Sequence, residues 1–314
     1  MARIAPFRGI LPATQVPFTA DLKIDEAELR SFGRWLASHE GIGGLVPNGH
    51  TGEVFALSPK ERAEVVRILA DEVGDKLPVI SGINCESISE ACEHACMAKE
   101  AGAKGLLIMP PHIWLRFGMR PEHVIDYFTA IGKAADLNMI VHIYPAWTKA
   151  AYSSALLAEL AHIPQVTTFK IGTREMSKYQ RDIYALRAAS PDVTILTCHD
   201  EYLLATMVQG VDGALVGFAS FIPDRIVALY KAVCDGDLKA AQAIQEWINP
   251  LKDVVYSSGE PSSDAHARMK VAMNLAGRLN TTHVRPPIRL PEGDAYDVIY
   301  NAVKNAGLLH REAA

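Results

Sequence analysis

The chain alternates between short apolar runs and longer amphipathic segments, with a repeat of roughly 25–35 residues. Each apolar run is rich in Val, Ile and Leu and is followed by polar or turn-forming residues, a pattern that predicts a buried β-strand. The eight predicted strands are Gly9–Val16, Gly43–Asn48, Pro78–Ile83, Gly105–Pro110, Met139–Tyr144, Val166–Ile171, Val193–Cys198 and Gly213–Val216.

The segments between the strands carry apolar residues three and four positions apart, which is typical of helices that bury one face. Ser58-Pro-Lys-Glu61 is a capping box with proline at the first helical position, and Ser87-Ile-Ser-Glu90 repeats the box. Gly102 and Gly210 follow the ends of two other helical patterns, where glycine commonly ends a helix.

Eight strands that are each followed by a helix predict an α/β fold of the (β/α)8 TIM-barrel type. A doubly wound sheet would also alternate, but its first strand usually leads into a glycine-rich dinucleotide-binding turn. Here the first strand leads into Thr14-Gln-Val-Pro-Phe-Thr19, which contains no glycine. The barrel is therefore the preferred fold.

After residue 220 the strand pattern stops and four helical patterns follow. We expect Phe221–Val233 to close the barrel and the last three helices to form a C-terminal appendage. Those three are predicted at Leu238–Tyr256, Ala265–Asn280 and Asp294–Ala306. The predicted organisation is a barrel with the active site over residues 1–234 and a three-helix region over 235–314.

Composition narrows the class of protein. Of 314 residues, 49% are hydrophobic and 21% are charged, which allows a large core and excludes wholesale disorder. A net charge of −5, without a long basic run, argues against a nucleic-acid partner. The five cysteines form no CxxC pair, and no uncharged stretch has membrane-spanning length. We expect a cytoplasmic globular protein with no membrane partner.

The most informative single residue is Lys170, which lies in the otherwise uncharged strand Val166–Ile171. A lysine there brings its amine towards a packed interior, where desolvation disfavours the ammonium. The neutral amine can attack a carbonyl and form a Schiff base. Alternatively, the side chain could extend to water from the strand end.

In a barrel of this type, chemistry occurs at the C-terminal ends of the strands. Those ends include Asn48-Gly-His-Thr-Gly-Glu53, His142-Ile-Tyr144 and Lys170. Gly49 and Gly52 allow a tight turn whose backbone N–H groups could hold a carboxylate, although an ordinary connection has the same composition. A nucleophilic amine beside an anion-binding turn suggests a site for a 2-keto acid.

The chain resembles the dihydrodipicolinate synthase/N-acetylneuraminate lyase family over nearly its whole length. Gly49-His-Thr-Gly-Glu53 matches the family's Gly-Thr-Thr-Gly-Glu turn, and Phe169-Lys170 matches its lysine strand. Leu57-Ser-Pro-Lys-Glu61, Ala101-Gly-Ala-Lys-Gly105 and Ala306-Gly-Leu-Leu309 extend the match.

This resemblance implies that Lys170 forms a Schiff base with a 2-keto acid, without a metal or other cofactor. It also implies a homotetramer or homodimer. Catalytic roles are predicted for Lys170, His142 and Tyr144. The predicted substrate-binding residues are Gly49, His50, Thr51, Gly52, His112, Trp147 and Leu215.

Several positions depart from the family pattern. The fifth strand ends His142-Ile-Tyr-Pro, so His142 replaces the proton-relay tyrosine, while Tyr144 shares its face of the strand. His112 replaces the second tyrosine, which reaches across a subunit interface, and His50 replaces the threonine between them. Trp147 stands where dihydrodipicolinate synthases carry an arginine for the second substrate's carboxylate.

A relay of hydroxyl groups has thus become one rich in histidine, whose imidazole ordinarily titrates near neutrality and can exchange protons there. Met109-Pro-Pro111 and Phe169-Lys-Ile171 resemble segments of 2-keto-3-deoxy sugar-acid dehydratases in this family. We therefore predict a Schiff-base lyase that dehydrates 2-keto-3-deoxy (sugar) acids. The alternatives are a pyruvate-dependent aldolase or hydratase-aldolase, a keto-acid-binding regulator without catalysis, and a metal site built from three histidines.

Overall fold

A computed structural model describes residues 7–145, 148–256 and 263–310. Seven parallel strands form one sheet in the order β1-β7-β6-β5-β4-β3-β2. They are β1 Gly9–Pro12, β2 Ile80–Ile83, β3 Gly105–Ile108, β4 Asn138–Ile143, β5 Val166–Ile171, β6 Thr194–Thr197 and β7 Gly213–Val216.

Residues 42–46 fill the gap between β1 and β2 and close the barrel. They pair with both neighbours through isolated parallel bridges. The Val46 N–H donates to the Pro12 carbonyl at 2.9 Å, and the Ile80 N–H donates to the Leu45 carbonyl at 2.8 Å. The predicted eight-stranded barrel is confirmed in its architecture.

The regular strand predicted at Gly43–Asn48 is wrong, because this segment makes only single bridges. Pro12, Pro47 and Pro78 have no N–H to donate, which removes single hydrogen bonds from the pairing on both sides of the segment. Other backbone groups still pair there, since Leu45 donates to the Pro78 carbonyl and Gly82 donates to the Pro47 carbonyl.

Helices cover the outside of the barrel in the order expected for a βα repeat. Within the described residues the α-helices are α1 Glu26–Ala37, α2 Pro59–Val73, α3 Ile88–Glu100, α4 His112–Phe117, α5 Pro121–Ala135, α6 Ser154–Leu160, α7 Met176–Ala189, α8 Leu203–Met207, α9 Pro223–Cys234, α10 Leu238–Tyr256, α11 Ala265–Leu275 and α12 Asp294–Asn305. The capping box at Ser58 is confirmed, since both of its hydrogen bonds are present. None of these helices is long and apolar enough to cross a membrane.

The C-terminal helices follow the prediction, except that α11 ends before Asn280. It stops at Leu275 because Gly277 adopts a positive φ of 66°. The Arg278 N–H then turns back to the Met273 carbonyl at 2.8 Å, as at many helix ends. The division at residue 234 coincides with the end of α9 and remains a prediction about domains.

The inside of the barrel is filled by a cluster of apolar side chains from alternate positions of the strands. This cluster consists of Phe7, Leu11, Ala13, Val46, Ile80, Leu107, Ile140, Leu196 and Leu215. Because side chains alternate along a strand, the residue two positions after Ile140 or Leu196 points to the same side, one level closer to the C-terminal end. Those residues are His142 and Cys198, at the C-terminal end of the barrel.

Candidate active site

Lys170 and His142 are adjacent on neighbouring strands, since they are partners in the β4–β5 register. Lys170 is half-buried, and His142 is 7% exposed. Both line a cavity of about 250 Å³ at the C-terminal end of the barrel. The amine and the imidazole that the sequence singled out therefore face the same space.

The turn after residues 42–46 borders this cavity through His50 and Thr51. The backbone of this turn adopts positive φ values, 60° at Asn48 and 52° at Glu53. A Cβ at Gly52 would lie 2.9 Å from the Thr14 carbonyl oxygen, so glycine permits the close approach. The Thr51 and Gly52 N–H groups donate to no acceptor among the described residues and are available to a carboxylate.

A buried lysine of α11 holds this turn from below. Lys270 is fully buried and its ammonium pairs with the Glu53 carboxylate. It also donates to the carbonyls of Val16 and His283, at 2.9 Å each. Glu53 thus links the turn to the C-terminal helices.

A row of rings extends from the cavity towards the surface. The Tyr144 hydroxyl and His50 Nε2 are hydrogen-bonded at 3.1 Å. The His50 ring stacks on Phe55 with 5.2 Å between centroids, and Phe55 lies 5.4 Å from the His112 ring. His50 and Tyr144 therefore act as one hydrogen-bonded pair at the edge of the Lys170 cavity.

The histidines around Lys170 are held neutral. Burial lowers the pKa of His142 well below its usual value, and the Lys170 charge lowers it further. The same two causes lower the pKa of His50 to about 3 and that of His266 to about 4. The expectation of an imidazole that titrates near neutrality is wrong for these residues, because desolvation opposes their protonation. Each imidazole is therefore unprotonated at neutral pH.

The opposite wall of the cavity is organised by Asp200. Its carboxylate accepts from the Tyr256 hydroxyl at 2.6 Å and from the N–H groups of Gly217 and Phe218 at 3.0 and 2.9 Å. Burial nevertheless raises the pKa of Asp200 to about 6, and these hydrogen bonds oppose the rise. Asp200 joins the loops after β6 and β7 to α10.

Arg174 and His199 complete the wall. Arg174 forms an ion pair with Glu201 at 2.8 Å, and His199 Nε2 is hydrogen-bonded to the Thr173 carbonyl at 3.2 Å. His199 thus has the satisfied, structural role that isolated rim histidines often have. Arg174 places a guanidinium beside the cavity.

Sequence reasoning missed Tyr256 and His266, which come from α10 and α11 rather than from strand ends. His266 Nδ1 is buried without a hydrogen-bond partner in the described part of the chain. No strand pattern marks either residue, because each reaches the barrel only through helix packing. Arg174 follows β5 directly, and its place four residues after Lys170 could have indicated it.

The remaining predicted residues fall in three places. Leu215 lines the Lys170 cavity, and its role in substrate binding stays a prediction. His112 lies outside that cavity and borders a neighbouring one. Trp147 falls outside the described residues.

The rim histidines do not gather into a metal-binding cluster in the described ranges. The one group of three suitable ligand side chains found there is Cys85, Glu90 and His94. The Arg62 guanidinium lies 3.3 Å from His94 Nδ1, where its positive charge opposes a cation. Burial also raises the pKa of the Cys85 thiol to about 12, against the thiolate that metals prefer.

A lysine, a buried imidazole and a glycine-containing turn thus lie together at the C-terminal end of a barrel, which is where barrel enzymes carry their active sites. Comparison with known proteins identifies the family. The Dihydrodipicolinate synthetase family matches residues 6–306, and the chain belongs to this family.

Among curated relatives, a 4-hydroxy-tetrahydrodipicolinate synthase of Haloarcula marismortui is 33% identical over 284 residues, covering 90% of this chain and 88% of the relative. YagE of Escherichia coli K12, to which a 2-dehydro-3-deoxy-D-gluconate aldolase activity is ascribed, is 28% identical, covering 91% of this chain and 93% of its own. The solved structure of YagE in complex with pyruvate superimposes with a TM-score of 0.86 at 26% identity, covering 97% of this chain and 100% of that chain. A monomeric dihydrodipicolinate synthase variant gives a TM-score of 0.87 at 22% identity, covering 96% of this chain and 98% of that chain.

Proposed function

We propose that this protein is a lyase that binds a 2-keto acid as a Schiff base on Lys170 and removes water from 2-keto-3-deoxy acids. The observation that carries the proposal is the adjacency of Lys170 and the neutral, buried His142. Thr51 and Gly52 would hold the carboxylate of the substrate through their N–H groups. Family membership supports a keto-acid substrate, since YagE is described in complex with pyruvate.

The amine of Lys170 attacks the C2 carbonyl, and loss of water gives an iminium. His142 then takes the C3 proton, and the C–H electron pair becomes the C2–C3 double bond of a neutral enamine. The positive charge moves from the iminium nitrogen to the imidazole, so the net charge of the cavity does not change. Burial still opposes protonation of His142, but the repulsion from the neighbouring cation disappears as the imidazolium forms.

The next step decides which bond breaks. Dehydration needs an acid beside the C4 hydroxyl, whereas aldol cleavage needs a base there. Burial raises the pKa of Tyr144, which keeps the phenol protonated at neutral pH but makes it a weaker acid, so its proton must pass to the hydroxyl as the C–O bond breaks. The enamine then expels the C4 hydroxyl as water, and hydrolysis of the resulting unsaturated iminium releases the product and the lysine.

Aldol cleavage is the second candidate, favoured by the aldolase activity ascribed to YagE. In that reaction the Tyr144–His50 pair would remove the C4 hydroxyl proton instead. Synthesis of 4-hydroxy-tetrahydrodipicolinate, which is the activity named for several relatives, fits less well because Trp147 replaces the arginine expected for the second carboxylate.

The proposal is tested by borohydride reduction in the presence of pyruvate, followed by mass analysis of peptides. We expect one adduct on Lys170 and none in Lys170→Ala. The exposed lysine variant Lys133→Ala is the matched control and should react like the wild type. Binding of pyruvate with an unmodified Lys170 would refute the Schiff base.

The reaction itself is identified from products. A 2-keto-3-deoxy acid should yield a dehydrated keto acid, whereas pyruvate and an aldehyde as sole products would establish the aldolase. Pyruvate adduct formation without turnover of any 2-keto acid would instead support a regulatory protein. We also expect a homo-oligomer, which sedimentation analysis of the purified protein would test.

A further inference from the structure

A second and larger cavity adjoins the Lys170 cavity. It has a volume of about 660 Å³, against about 250 Å³ for the first. The two cavities share the side chains of His50, Tyr144 and His266, which therefore form the junction between them. A substrate attached to Lys170 through C2 and too long for the first cavity would pass this junction and enter the second.

The walls of the second cavity are mainly apolar. Besides the junction residues, the described wall residues include the aliphatic or aromatic side chains of Phe55, Ala56, Leu115, Ala267 and Ile288. The described wall contains no lysine or arginine that could hold a carboxylate or phosphate. Its one carboxylate, Glu53, is already paired with Lys270.

The junction itself carries no positive charge at neutral pH. The lowered pKa values of His50 and His266 keep both imidazoles neutral, and the raised pKa of Tyr144 keeps the phenol protonated. These groups can bind one hydroxyl at the position of C4. They offer no partner for an anion beyond it.

We propose that the second cavity binds an apolar, aromatic-sized group attached at C4 of the 2-keto acid, a proposal that rests on the proposed function. An apolar cavity of about 150 Å³ is enough to hold benzene, so an aryl group fits this volume with room to spare. A polyhydroxylated sugar chain fits poorly. Its hydroxyls would lose water against Phe55, Leu115 and Ile288, and the described wall beyond the junction offers them few polar partners, among them His112 and Ser263.

The inference changes the expected substrate. Sequence reasoning left the sugar acids as the leading class, and the wall of the second cavity argues for a 2-keto-3-deoxy acid with an apolar tail instead. The reactive part, from the carboxylate to the C4 hydroxyl, is the same in both classes. Substrates that differ only in the group attached at C4 therefore test the second cavity separately from the chemistry at Lys170.

The experiment compares kcat/KM for three acids that share this reactive part. They are 4-hydroxy-2-oxo-4-phenylbutanoate, 4-hydroxy-2-oxopentanoate, and a 2-keto-3-deoxy sugar acid of similar length to the first. We expect the phenyl compound to exceed both others by at least about tenfold, the usual scale for filling an apolar pocket. Equal or better use of the sugar acid, or no use of the phenyl compound by a protein that forms the pyruvate adduct, would overturn the inference.

Ala56→Trp fills the second cavity without touching Lys170. It should lower kcat/KM for the phenyl compound at least about tenfold and leave that for the methyl compound within about threefold. Ala134→Trp is the matched control, because Ala134 is exposed near the C-terminal end of α5, just before β4 begins, and so lies at the opposite end of the barrel from the site. An equal loss with both substrates in Ala56→Trp would contradict the subsite, whereas failure to trap any adduct on Lys170 would refute the proposed function.

Discussion

Replacement of the buried lysine Lys270 by methionine tests how the C-terminal helices hold the turn that carries Thr51 and Glu53. Lys270 is fully buried, and its partner Glu53 is 8% exposed, so the substitution leaves a carboxylate in the interior without its counter-charge. Breaking a buried pair in this way costs about 3–5 kcal/mol. Two backbone carbonyls, of Val16 and His283, also lose their donor.

We expect the free energy of unfolding in urea to fall by that amount in Lys270→Met. Glu53→Gln should cost less, since the lysine keeps its two carbonyls and an amide oxygen. In the double variant the cost should be smaller than the sum of the single costs by about 1–3 kcal/mol, because neither charge is then left alone.

The surface variant Lys231→Met is the control. Lys231 lies 4.0 Å from Asp235 with both side chains largely exposed, so stability should change by no more than about 0.5 kcal/mol. Costs of Lys270→Met and Glu53→Gln that add within about 0.5 kcal/mol would show that the two residues do not form the pair. A rise in KM for the keto acid should accompany the loss of stability, since the same turn carries Thr51.

Three further predictions concern the site. His142→Ala should lower kcat by about 10²–10⁴ while the borohydride-trapped adduct on Lys170 still forms, and full retention of activity would move the base to another residue. His142→Tyr restores the family's residue and should favour aldol products over dehydration, which product analysis would detect. For Asp200, burial raises the pKa to about 6. The folded protein therefore binds the Asp200 proton more tightly than the unfolded chain does. The stability gained from this proton is present below about pH 4 and is lost as pH rises through 6. The unfolding free energy of the wild type relative to Asp200→Asn should fall over this range and level off above about pH 7; a difference independent of pH would mean that the carboxyl titrates normally.

The fold was largely predictable because it rests on local periodicities. Strand-length apolar runs and helical spacing gave the order of elements, and the alternation of side chains placed His142 on the inner face of β4 and Tyr144 on the same side just beyond its end. The failure at Gly43–Asn48 has a local cause as well. Pro47 within this segment could have indicated an interrupted hydrogen-bonded ladder. Only the structure shows that Pro12 and Pro78 lie beside the segment, one on each side.

The site residues that lie at the ends of strands were predictable from the sequence. Lys170, Thr51 and Leu215 border one cavity because parallel strands bring their C-terminal ends to the same face of a barrel. His112 could not be placed in the same way. It begins α4, and the position of that helix over the second cavity depends on packing between segments far apart in sequence.

The sequence by itself determined the barrel, the lysine and the turn, since each depends on residue types at fixed spacings along the chain. Only the tertiary structure decided the protonation states and the shape of the space around the lysine. Burial, which is a property of the whole fold, holds His142, His50 and His266 neutral. His266 and Lys270 reach the barrel from α11, about a hundred residues after Lys170, and no local pattern can show which side chains they will meet.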